Sequence, residues 1–181
     1  MWLVNSVSSS VTSFFTNYIT GERTETDRLY RFENLYNDAL QIINEVQQYN
    51  ENDRKDWISQ TNVKQDLEQM VDLLVEEEKS LQKEGKGEAQ GGEVLGLCVE
   101  FLINKHVVDT LCGIALSDNP EGAAELIICH LAKVFGSLST NLLSINTIYM
   151  SVSALIEKYV QSFSQISDPK LKSAVTSLSE V

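Results

Sequence analysis

Cys129 and His130 are adjacent in this 181-residue chain, and their residue types suit a nucleophile and its base. Neighbours on a helix point about 100° apart, so the thiol and the imidazole cannot face each other there. His130 falls on an apolar stripe and reads as a hydrogen-bonded core histidine. His106 follows Lys105 at a helix junction and has no companion at metal-ligand spacing. The chain holds no His-Glu-x-x-His, Cys-x-x-Cys or Gly-x-Ser-x-Gly. Cys98, Cys112 and Cys129 lie in apolar helical contexts and read as buried free thiols in a reducing compartment. Residues 85–92 are glycine-rich, but lack the Gly-Lys-Ser/Thr ending of a phosphate loop and follow no strand pattern, so they read as a flexible linker. No catalytic residue, metal ligand or cofactor site is expected.

The acids are numerous, but a working carboxylate pair needs a desolvating pocket, and nothing in the sequence marks one. Glu100 and Asp109 interrupt apolar stretches; each reads as a hydrogen bond to a helix end, an exposed group, or a contact for a partner. The run Glu76-Glu77-Glu78 falls late in a helix, where acids oppose the helix dipole. It reads as a solvated face or, alternatively, as a docking patch for a basic protein partner.

The net charge of -12 is uneven: residues 1–93 carry 18 acidic against 9 basic side chains, and 94–181 carry 8 against 5. Phosphate backbones would be repelled, so no nucleic-acid partner is expected. The start lacks the basic region of a signal peptide. No apolar run approaches the ~20 residues needed to span a bilayer, and a cytoplasmic location follows as the expectation.

The elements that must carry these residues are helices. Two prolines and few turn signals leave long windows with spacings of three and four. Leu3, Val7, Val11, Phe14 or Phe15 and Tyr18 predict a first amphipathic helix ending near Gly21. Its apolar face, with Trp2, is a candidate docking face or a peripheral membrane anchor; docking is the expectation, because the opposite face is serine-rich and has no Lys or Arg. Thr26 or Asp27 would cap a second helix with Leu29, Phe32, Tyr36, Ala39, Ile43 and Val46 inward. Trp57-Ile58 reads as a short apolar plug. Asn62 starts a helix to about Lys83 with Val63, Leu67, Met70, Val71, Leu74 and Leu81 inward. Phe101, Leu102, Val108, Leu111 and Ala115, with a step at Asn104-Lys105, predict the first member of a pair. Ala123, Ile127, His130, Val134 and Leu138 predict the second, across the turn Ser117-Asp118-Asn119-Pro120. Both are apolar over more than one face, as helices with neighbours on two sides require. A further helix carries Ile148, Val152, Leu155, Ile156, Tyr159 and Val160. Asp168-Pro169 opens the last, as N-cap and first helical residue, with Leu171, Val175 and Leu178 inward. The fold class is all-α: acidic N-terminal helices over 1–84, the loop 85–92, and an apolar helical core over 93–181 in the same domain.

The string Cys98-Val99-Glu100-Phe101-Leu102-Ile103, then Asp109-Thr110-Leu111, Pro120-Glu121-Gly122 and Leu142-Leu143, resembles the N-terminal region of the FHIP proteins, the FTS- and Hook-interacting proteins. Asp66 to Glu78 is similar to that family's preceding helix, and the resemblance covers about Asp66 to Val152. It implies helical hairpins stacked as the start of an α-solenoid of the HEAT/armadillo kind. It also implies a non-catalytic adaptor with Hook-like and FTS-like partners, linking endosomal cargo to dynein.

Overall fold

The computed structural model describes residues 5–49, 56–83 and 95–180, and within them the side chains from residue 24 onward except Gln165. The chain is all-α: the described residues form eight α-helices, two short 3-10 turns and no strand. In order they are α1 Asn5–Gln47, α2 Trp57–Gln60, α3 Val63–Lys83, α4 Leu97–Asn104, α5 Val107–Ser117, α6 Ala123–Ser137, α7 Asn146–Gln161 and α8 Pro169–Ser179. The linker expected over residues 85–92 lies outside the described residues, as do Trp2, Leu3 and the side chains of Val7, Val11, Phe14 and Phe15.

α1 corrects one expectation. It runs unbroken through Gly21, Thr26 and Asp27, where a stop and a new cap were expected. An interior glycine costs a helix only about 1 kcal/mol, and no proline forces a break. Beyond Thr26 the expected stripe is present: Phe32, Tyr36, Ala39, Ile43 and Val46 are buried. This stripe lies on α3, whose Val63, Leu67, Met70, Val71, Leu73 and Leu74 are buried in return.

The first member of the apolar pair is broken where the step at Asn104-Lys105 predicted it. α4 ends at Asn104 and α5 begins at Val107, with His106 between them in the left-handed region at φ 52. The rings of Phe32 and Tyr36 meet Phe101 edge-on at 5.9 and 6.0 Å, which fastens α4 to α1. α5 packs on α6 and on α7, and α6 lies between α3 and α8. α6 therefore has neighbours on several sides, as its width of apolar surface predicted; Ile127, Ile128, Leu131, Val134 and Phe135 are all buried. One cluster of buried side chains runs from Phe32 to Leu178. Val160, expected inward, is instead 51% exposed, and Tyr149 and Met150 share the open side of α7.

The turn between α5 and α6 is held from three directions. Asp118 ends α5 at φ 47, and its Oδ1 accepts from the Gly122 and Ala124 amides at 3.2 and 2.9 Å, capping α6. Gln47 at the end of α1 donates to the Asn119 carbonyl at 2.6 Å. Trp57, the apolar plug, is buried and donates its Nε1–H to the Glu121 carbonyl at 2.9 Å. Gly122 sits at φ 88, a conformation that favours glycine.

Trp57 thus combines buried bulk with one hydrogen bond, and the two contributions separate by substitution. Trp57→Phe removes the bond and is expected to cost about 1 to 2 kcal/mol, whereas Trp57→Ala should cost about 3 to 5. Urea titration of both variants checks this; equal costs would mean that the ring is not seated on the turn.

Candidate functional site

Consecutive helical residues cannot share a face, and the structure disperses the run Glu76-Glu77-Glu78 accordingly. Glu76 is exposed. Glu78 is half-buried and accepts from the Ser139 amide at 2.8 Å and its hydroxyl at 2.6 Å, tying α3 to the end of α6. Glu77 is buried, 2% exposed, which corrects the reading of the run as one solvated or partner-facing patch. Its Oε1 accepts from the Cys98 amide at 2.9 Å, and its Oε2 accepts from Cys98 and Val99, both at 3.2 Å. A side chain from α3 thus caps α4, where amides without helical partners and the positive end of the dipole favour a carboxylate. Gly96 makes room: a Cβ there would overlap the Glu77 carboxyl group. Of the three acids, only Glu76 is left free to meet a partner across open surface.

Asp109 joins two helices. Its Oδ2 lies 2.9 Å from His106 Nδ1, and its Oδ1 accepts from Ser151 Oγ on α7 at 2.7 Å. A hydrolytic triad would place the serine on the histidine; here both are on the acid, which makes the group a clamp between α5 and α7. Glu100 is exposed.

Cys129 and His130 point apart as their adjacency requires: His130 is buried and Cys129 half-buried. Burial, with Lys133 nearby, lowers the His130 imidazole to about 4 against a weaker opposing hydrogen bond to the Leu67 backbone, while its Nδ1 has no partner. It is neutral at pH 7. The thiols are held protonated. Burial, with Glu77 adding to it, pushes Cys98 up; burial, with Asp109, pushes Cys112 up to about 12; burial, with Glu125, also raises Cys129. Among the described residues, no three His, Cys, Asp or Glu side chains come together as a metal-holding group. None of the helices described is long and apolar enough to cross a membrane.

Two surfaces stand out among the described residues. One is the outer side of α7, where Tyr149, Met150 and Val160 are more than half exposed. The other is a groove of about 560 Å³ bounded by α3, α6, α8 and Ile58 of α2, with lysines on its rim. Sequence reading missed this groove, because its walls come from helices far apart in the chain. No protein-family model matches the chain, and no solved structure matches it.

If Glu77 fills the space left by Gly96, Gly96→Ala should expel the carboxylate and cost about 2 to 4 kcal/mol, the range for lost charge-assisted bonds and a lost cap. The cost should largely vanish when Gly96→Ala is added to Glu77→Ala. Denaturant titration of the two single variants and the double variant tests the contact; additive costs would show that the two residues do not touch.

His130 sets a pH dependence. Its folded value lies below the ordinary 6.5, so the unfolded chain binds the extra proton first. Its contribution is full above about pH 6.5 and is lost as pH falls toward about 4, by about 3 kcal/mol in all. The difference in stability between wild type and His130→Gln should shrink across that window; a flat difference would mean that the ring is accessible to protons in the folded state.

Proposed function

We propose that this chain is a non-catalytic helical scaffold, an adaptor whose stacked helices offer surfaces to other proteins. The observation that carries this reading is the use made of the hydrogen-bonded carboxylates. Glu77, Asp118 and Asp168 each accept from backbone amides at the start of α4, α6 and α8, and Glu78 and Asp109 tie neighbouring helices together. Glu77, Glu78 and Asp109 fix helices relative to one another, and Asp118 and Asp168 cap the helices that begin beside them. The pairs α1/α3, α5/α6 and α7/α8 pack in succession, which supports the stacked hairpins of an α-solenoid. The resemblance to FHIP proteins makes the partners Hook-like and FTS-like proteins, and the setting the cytoplasmic surface of endosomes in dynein transport.

A second reading, a peripheral membrane module, draws on the continuation of α1 back to Asn5, which places Val7, Val11 and Phe14 on successive turns of one helix. Affinity capture from the source cell, followed by mass spectrometry, tests the first reading. Hook-like and FTS-like proteins are expected in the eluate, and their absence around a folded bait would remove those partners. Liposome flotation that is lost in Phe14→Asp, with the melting curve unchanged, would move the assignment to the second.

A further inference from the structure

The groove between α3 and α8 has α6 as its floor. α3 and α8 each pack against α6, so the groove runs along one helix and is walled by two others. A groove bounded by helices on three sides is the kind of surface on which a further helix packs. Between its charged residues the lining is small or apolar. Cys129 and Ala132 line the floor, Ala174 and Ser177 one wall, and Ile58 closes an end, so a visiting backbone can come close. From Glu125 to Lys133 the floor runs about 12 Å, two to three helical turns.

The charge on the rim runs against that of the chain. Lys64, Lys133 and Lys170 border the groove against two carboxylates, Glu68 and Glu125, in a protein of net charge -12. Lys133 is paired with Glu68 at 2.8 Å, whereas Lys64 and Lys170 form no ion pair among the described residues. Both lie in the first turns of their helices, α3 and α8, where the positive dipole ends add to their field. Glu125 faces the same end. Burial raises its carboxyl above the ordinary value, and Asp168, with which it shares a hydrogen bond, pushes it the same way. Lys64 also lies in the field of Glu68, and Lys170 in that of Glu125, so the lining as a whole, three lysines against two carboxylates, is short of one acid.

We propose that this groove receives an amphipathic helix of a partner protein, its apolar side laid on Cys129 and Ala132 and its acidic flank set against Lys64 and Lys170. The inference rests on the binding-scaffold reading and names the surface for it. A helix fits better than a strand, because the described residues contain no sheet edge for a strand to extend. It also fits better than a membrane, since the floor is recessed between two helical walls that hold a flat lipid surface away from it.

The test is selection of displayed helix-forming peptides of about four turns against the full chain, followed by fluorescence anisotropy of the enriched sequences. Winners are expected to carry apolar residues at i, i+3 or i+4 and i+7, flanked by Asp and Glu. Ala132→Trp, which fills the floor, should weaken them by about tenfold or more. The surface pair Lys64→Glu with Lys170→Glu, which leaves the core untouched, should weaken them by about fivefold or more and remove most of the salt dependence. Basic or uncharged winners, or winners that bind wild type and both variants alike, overturn the groove while leaving the scaffold reading standing. Flotation with phosphatidylcholine–phosphatidylserine vesicles that both variants abolish would assign the groove to lipid and likewise overturn the proposal. Groove-bound acidic peptides from a protein that captures neither Hook-like nor FTS-like proteins would instead overturn only the partners named above.

Discussion

The carboxylate of Glu77 at the start of α4 is the contact on which the rest of the arrangement depends. Burying an isolated carboxylate costs several kcal/mol, so the group persists there only because it is well satisfied. Two backbone amides and the dipole of α4 meet that cost, and Arg28 lines the same small cavity. The consequence reaches across the chain. α3 and α4 are separated in sequence by 13 residues, and the Glu77 side chain bridges that separation. α4 in turn places Phe101 against Phe32 and Tyr36, so α1, α3 and α4 are fixed as a set.

The same economy recurs with shorter reach. Asp118 and Asp168 cap the helices that begin a few residues after them, and Asp109 holds α5 against α7 through Ser151. A chain this acidic would repel itself if its carboxylates all lay on the surface, and each acid committed to an amide is stabilised by a helix end. Its charge therefore contributes to the architecture as well as opposing it. The lysines, by contrast, are largely left on the surface, which is how a rim of mixed but locally positive character arises around the α6 floor.

How much of this was legible in the sequence depended on distance along the chain. The stripes of α3, α5 and α6 and the Asp168-Pro169 start of α8 are local patterns, and each appears in place. The helix junction at His106 was equally visible, since a break in spacing is itself a local signal. Gly21 misled because a glycine within a long helical window is tolerated more often than a stop rule allows. The role of Glu77 was hidden for the opposite reason. Its partners lie 21 and 22 residues away, beyond a glycine-rich stretch, and nothing in a triplet of glutamates says which one faces inward. The inward phase was nonetheless present: Met70, Leu73, Leu74 and Glu77 fall at spacings of three, one and three, so Glu77 continues the buried side of α3. The groove carried no such signal, because Lys64, Lys133 and Lys170 become neighbours only once α3, α6 and α8 are assembled.

The fastening of the α5–α6 turn bears directly on what that groove can do. Trp57 holds Glu121, Gln47 holds Asn119, and Asp118 holds the first amides of α6, so the floor helix enters its position constrained from α1, α2 and α5. Ile58 follows Trp57 in the chain and lies where a Cβ on Gly122 would sit 3.4 Å from its Cδ1. The residue that closes one end of the groove is therefore placed by the same contacts that fix its floor. A surface built this way is already ordered before a partner arrives, and binding then costs little in side-chain and backbone entropy on this side of the interface. The ordering cost falls on the visitor, which is the reason an amphipathic segment with its own helical propensity suits the groove better than one that must be shaped by it.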